Sequence, residues 1–191
     1  MRRPVDRERV LRFMHELGAE AESDTRLYFT GGATAVLLGW RASTIDLDIK
    51  LEPESDRLLR AIPALKERLE MNVELAAPDD FIPEIPGWRE RSAFAGREGK
   101  LSFYHYDLAA QALAKIERGH AQDLGDVREM LARGLVGREE LRQRFAEIEP
   151  QLYRYPAIDP ASFRLAVERA TAAAGGERQG TSTSSDRPAT V

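Results

Sequence analysis

The sequence predicts an α+β fold, a small mixed β-sheet core followed by a C-terminal helical subdomain. Three observations carry that expectation. Ile45–Lys50 and Met71–Leu75 alternate with the two-residue period of half-buried strands. The segments between and before them recur at helical spacing, and everything after Asp107 is helical in pattern.

Taken in order, Asp6 caps a helix over 5–21 whose apolar positions are Val10, Leu11, Phe13, Met14 and Leu17, with Gly18 as its stop. Leu27–Thr30 reads as a short strand ended by Gly31-Gly32, and Ala33–Leu38 as a short apolar helix ended by Gly39. Along Ile45–Lys50, the expectation is that Ile45, Leu47 and Ile49 enter the core while Asp46, Asp48 and Lys50 share the other face. Ser55–Leu69 is helical, with Pro63 predicted to kink or split it. Met71, Val73 and Leu75 take one face of the next strand, and Asn72, Glu74 and Ala76 the other.

Residues 77–88 contain Pro78, Pro83 and Pro86 and read as an irregular loop. Arg89–Ala95 and Lys100–Tyr106 then form a hairpin around Gly96 and Gly99. Asp107 caps a helix that ends near Gly119, and further helices cover about Ala121–Ala132, Arg138–Ile148 and Ala161–Ala173. The expected organisation is a core over 1–106, a helical part over 107–173 that completes the same unit, and a disordered tail over 174–191. That last stretch has almost nothing apolar to offset its ordering entropy.

Composition narrows the chemistry. The chain has 191 residues, no cysteine and three histidines, which disfavours disulfide scaffolds, thiolate zinc sites and cysteine nucleophiles. A net charge of −4 makes a broad nucleic-acid-coating surface a poor fit. No run approaches the roughly 18 apolar residues of a membrane span, and Met1-Arg2-Arg3-Pro4 has no apolar leader region. The expectation is a soluble cytoplasmic protein with no membrane partner. Only Lys50, Lys66, Lys100 and Lys115 are lysines, and the skew to arginine carries no chemistry by itself.

Chemistry concentrates in the alternating strands. Asp46 and Asp48 point the same way and repel each other, which is costly unless a cation sits between them. Hard oxygen ligands suit Mg²⁺. Lys50 on the same face is the simpler relief of that repulsion. If the strand at 71–75 pairs beside this one, Glu74 becomes a third carboxylate and a two-metal phosphoryl-transfer site becomes possible. Gly31-Gly32 lies at a strand–helix junction, where backbone approaches a ligand closely and helix-start amides face phosphate; a plain turn pair is the alternative. Lys115 and Arg118, like Asp123 and Asp126, sit at i, i+3, which equally describes a solvated helix surface. Arg41 either holds a phosphate by its fork or covers a sheet edge. His105, Tyr104 and Tyr106 either stack on a base or pack against helices, and Trp40 and Trp88 read as core or rim. Arg89, Arg91, Arg97 and Lys100 on the hairpin read as a solvated face rather than an RNA contact.

Gly31-Gly32, a short helix and Arg41-Ala42-Ser43-Thr44-Ile45-Asp46-Leu47-Asp48 together resemble the signature of the DNA polymerase beta-like nucleotidyltransferase superfamily. Within it, the chain is most similar to the branch holding AbiEii and the mycobacterial MenT toxins. Leu113–Asp126 resembles that branch again, with a lysine on a helix, a basic turn and Asp-x-x-Asp opening the next helix. The resemblance covers roughly 26–135. It implies Mg²⁺ (or Mn²⁺) on Asp46, Asp48 and Glu74, and a nucleoside triphosphate cradled by Gly31 and Gly32 with Thr44 near its phosphates. It places Lys115 on the β/γ-phosphates, beside Arg118, and Asp123 as the group that orients the lysine or the metal side of the site. It further implies an RNA acceptor, the tRNA 3′ end, and an antitoxin partner. Two rivals share the fold: an enzyme that nucleotidylates a protein, and a non-catalytic nucleotide- or partner-binding protein.

Overall fold

Asp6 opens the first helix by accepting a hydrogen bond from the Arg9 amide at 3.0 Å. That helix, α1 (Arg7–Gly18), buries Val10, Phe13, Met14 and Leu17. The computed structural model describes residues 3–172, so the tail expected over 174–191 lies outside the described residues.

Five strands build the main sheet: β2 (Thr25–Phe29), β4 (Asp46–Glu52), β5 (Asn72–Leu75), β6 (Ala93–Glu98) and β7 (Leu101–His105). Their order is β5-β4-β2-β7-β6. β2 runs antiparallel to β4 and parallel to β7, β4 and β5 are parallel, and β6 and β7 form the antiparallel hairpin. The sheet is mixed, as the pattern predicts. Alternation gives it two buried faces. Leu27, Phe29, Leu47, Ile49, Val73, Leu101 and Phe103 pack with α1, α2 (Gly31–Leu38) and α3 (Asp56–Arg68). On the opposite face Tyr28 joins Trp88, Tyr106 and the apolar side of α5 (Leu108–Arg118). Onto α5 pack α6 (Ala121–Ala132) and α8 (Pro160–Thr171), and α7 (Arg138–Ile148) packs with both α5 and α8.

Several expectations are corrected. Gly31 and Gly32 are the first turn of α2 rather than a stop before it, because Thr30 takes the extended backbone of the N-cap position. Ile45 is 75% exposed and Leu75 is 59% exposed. Each lies at a strand end, beyond the helices that cover Leu47, Ile49 and Val73, so alternation continues there without a core to enter. Pro63 sits within α3, which runs unbroken from Asp56 to Arg68. Residues 88–91 form a helical turn, α4 (Trp88–Arg91), instead of the start of the hairpin. Gly96 lies inside β6 beside a register shift, and Gly99, at φ +57°, makes the turn. A small ribbon of β1 (Val5–Asp6) and β3 (Ser43–Thr44) was not foreseen, since two-residue strands leave no period. The same holds for the 3₁₀ turns Pro78–Asp80 and Glu149–Arg154.

Candidate active site

The parallel pairing of β4 with β5 sets Asp46 opposite Asn72 and Asp48 opposite Glu74. Same-face alternation then places all three carboxylates at one end of the sheet, where they line a cleft of about 220 Å³. Thr30 and Gly31 supply a second wall, Pro78 and Phe81 a third, and Gln111, Lys115 and Arg118 of α5 close the side opposite the acids. The Asn72 amide donates to Asp46 Oδ1 at 2.8 Å and to Glu74 Oε1 at 2.6 Å, bridging two of the carboxylates.

Burial and the charges of Asp46 and Glu74 push the Asp48 carboxyl up to about 6, against the pull of Arg118 and Lys115. Three carboxylates share the cleft with two cations, and both cations also pair with Asp123, so the acids are not fully neutralised. This is the electrostatic condition that favours a bound divalent cation. Among the described residues, no group of three acidic or imidazole side chains closes into a ready-made metal cage. Mg²⁺ characteristically takes one or two carboxylates and completes its shell with water and substrate phosphate oxygens, so an open set of acids fits it.

Backbone shape matches this reading. Gly31 has φ +54°, and a Cβ built there would stand 2.5 Å from Asp48 Oδ2. Only glycine lets α2 begin so close to that carboxylate. Thr30 makes no side-chain cap bond, and Gly31 lines the cleft. The amides of the first helical turn, which have no intrahelical acceptor, therefore start at the cleft wall.

Lys115 is 3% exposed. Its Nζ donates to Asp123 Oδ1 at 2.9 Å and to Asp126 Oδ2 at 2.7 Å. Arg118 donates to Asp123 Oδ1 at 3.0 Å, and its guanidinium lies 5.6 Å from the Phe81 ring centroid. The Asp-x-x-Asp spacing on α6 thus turns both carboxylates toward α5 and fixes the lysine's direction. Asp126 does more than the sequence signalled. It also accepts from Trp40 Nε1 at 3.0 Å and from Arg41 at 2.8 and 2.5 Å. That ties the segment entering β3 and β4 to the Lys115 helix.

Of the residues singled out from sequence, Asp46, Asp48, Glu74, Gly31, Lys115 and Arg118 converge on the cleft. Asp123 stands behind Lys115. Arg41 is turned to Asp126, away from the cleft lining. Gly32 and Thr44 pack on each other, since a Cβ at Gly32 would meet Thr44 Oγ1 at 2.0 Å. Thr44 Oγ1 donates to the Asp46 carbonyl at 3.0 Å, a bond that shapes the entry to β4. Sequence reasoning missed Asn72, Phe81 and Gln111. Asn72 was legible in part, because it shares a strand face with Glu74. Phe81 and Gln111 reach the cleft only through tertiary packing.

The remaining sequence candidates are structural. Trp88 is fully buried, and its ring stacks on Tyr106 with centroids 4.2 Å apart. Burial drives the Tyr106 hydroxyl's pKa upward and lowers that of His105 to about 4. On the hairpin side, Arg89 pairs with Glu52, Arg91 with Asp107 and Arg97 with Asp24.

A strand–glycine–helix entry, paired acids on the next strand and a buried lysine thus meet at one cleft. The model of a family described as nucleotidyltransferases of unknown function, DUF6036, matches residues 8–164, from α1 into α8. The chain belongs to that family of nucleotidyltransferases. No curated protein and no solved structure matches it. Among the described residues, no helix is long and apolar enough to cross a membrane.

Proposed function

We propose that the protein transfers a nucleoside monophosphate from a nucleoside triphosphate to an acceptor hydroxyl, yielding a nucleotidylated acceptor and pyrophosphate. The observation that carries this is the cleft itself, with three carboxylates on adjacent strands facing a buried lysine and an arginine. Asp46, Asp48 and Glu74 would hold Mg²⁺ or Mn²⁺. A metal bound there would supply Lewis-acid chemistry, lowering the acceptor hydroxyl's pKa and neutralising charge on the leaving pyrophosphate.

The chain's own groups divide the remaining work. Lys115 presents its charge to the triphosphate from a fixed direction, because Asp123 and Asp126 hold its ammonium. A cation held in place needs little reorganisation when charge develops on the leaving group. Arg118, half-exposed at the same wall, adds a second positive charge. The first turn of α2 offers its amides, and Gly31 gives the substrate backbone-close access beside Asp48.

The acceptor is taken to be RNA, the 3′ end of tRNA, and the protein the toxin of a pair with an antitoxin; the motif resemblance over roughly 26–135 supports both. A net charge of −4 confines any RNA contact to the neighbourhood of the cleft. The test is incubation with each α-labelled nucleoside triphosphate, Mg²⁺, total tRNA and cell extract. Label on tRNA that disappears with Asp46→Ala is the expected result. Label on protein instead identifies a protein acceptor, and no label on any polymer overturns the catalytic reading.

A further inference from the structure

Away from the cleft, α6 and α8 both pack on α5 but touch each other only sparingly. The gap is an open groove of about 630 Å³. Ile116 of α5 forms part of its floor, Leu124, Val127 and Leu131 of α6 form one wall, and Ala166 and Ala170 of α8 form the other. The lining positions on α6 recur at 124, 127, 131 and those on α8 at 166 and 170, so each wall is one face of a helix.

Three arginines rim this groove, each from a different helix: Arg128 on α6, Arg138 on α7 and Arg169 on α8. Most arginines elsewhere in the fold pair with a carboxylate, as Arg41, Arg57, Arg89 and Arg142 do. Among the described residues Arg128 and Arg169 form no ion pair. Arg138 donates only to the Ala170 and Ala172 carbonyls, at 3.3 and 2.9 Å. In a chain of net charge −4, a locally positive and unneutralised rim around an apolar trough is a distinct feature.

We infer that this groove docks an acidic amphipathic helix of a partner protein. The trough between two helix faces lying on a third has the form that takes another helix, with apolar anchors at i, i+3/i+4 and i+7. The partner's carboxylates would meet the three arginines at the edges. A nucleic acid is a poorer occupant, since no aromatic ring lines the groove to stack on a base and an apolar floor gives nothing to ribose or phosphate. The chain's own residues 173–191 supply only alanines, one proline and one valine as apolar side chains, with no leucine, isoleucine, methionine or aromatic anchor for Leu124 and Leu131 to hold.

The test uses the full chain and two synthetic helical peptides with the same leucine pattern, one with glutamates and one with lysines on its polar face. Fluorescence anisotropy is expected to show saturable binding of the acidic peptide, at least fivefold tighter than the basic one and weakened by salt. In the Arg128→Glu/Arg169→Glu variant, with unchanged circular dichroism, the preference is expected to reverse. Methyl resonances of Leu124, Leu131 and Ala166 should shift on binding, while the Asp46→Ala variant should bind the peptide unchanged. Equal affinity for both peptides overturns the inference. So does no saturation, as a groove covered by residues 173–191 would give. Sedimentation as a dimer that the double variant dissociates would assign the groove to a second copy and overturn it as well.

Discussion

Gly31 shows how one residue's missing side chain organises the site. Its φ of +54° and the 2.5 Å that a Cβ would leave to Asp48 Oδ2 make two separate demands for glycine. Gly31→Ala is therefore expected to lower stability by about 1–2 kcal/mol from the left-handed backbone alone. Displacing Asp48 by a fraction of an ångström should reduce turnover by roughly 100-fold, read as kcat alongside a urea melt. Lys115→Met removes the positive charge that Asp123 and Asp126 aim at the cleft. The expected outcome is a transfer rate lower by roughly 10²–10³, with KM for the triphosphate raised and the acceptor KM unchanged. Both carboxylates keep a partner in that variant, Asp123 in Arg118 and Asp126 in Arg41, so the fold should persist.

At the scale of elements, the end of the hairpin and the start of α5 meet at Asp107. This residue is 3% exposed, accepts from the Ala109 amide at 3.2 Å and pairs with Arg91 NH2 at 2.7 Å. It both caps the helix that carries Lys115 and anchors α4. Asp107→Ala is expected to cost about 2–3 kcal/mol, combining a lost cap with a broken, largely buried ion pair. A urea midpoint shift without a change in m-value would register that loss. These elements also show which structure was readable from residues alone. Alternation in Ile45–Lys50 and Met71–Leu75 specified which side chains share a face, because a pleated strand has no other way to place them. It did not specify where the covering helices end, so Ile45, expected in the core, and Leu75, on the face of the buried Val73, both lie exposed. Nor did periodicity register the turn at Trp88–Arg91, where four residues are too few to show a helical period.

The whole molecule adds what no single segment encodes. Asp123 and Asp126 were legible as a motif, but the fourfold use of Asp126 by Lys115, Trp40 and Arg41 depends on packing between segments some 85 residues apart. Phe81 and Gln111 reach the cleft by the same route. Global stability should carry a pH signature with two opposing parts. His105 titrates near 4 when folded against an ordinary value of 6.5, so its contribution is intact above 6.5 and is lost as pH falls toward 4. Asp48 titrates near 6 when folded against 3.8, so its contribution grows as pH falls through 6. In metal-free buffer the wild type should lose under about 1 kcal/mol between pH 7.5 and 5, because the two largely offset each other. Asp48→Asn should lose about 2 kcal/mol over that range, and His105→Asn should gain about 1 kcal/mol, as read from denaturant melts.

The central claim is that the cleft of Asp46, Asp48, Glu74 and Lys115 transfers the α-phosphoryl with its nucleoside and releases pyrophosphate. Parallel reactions with α-labelled and γ-labelled nucleoside triphosphate test it most directly. Transfer of the α-label to an acceptor polymer, with the γ-label recovered in pyrophosphate and both lost in Asp46→Ala and with chelator, is the predicted result. Transfer of the γ-label, or α-label transfer that survives Asp46→Ala, would contradict it.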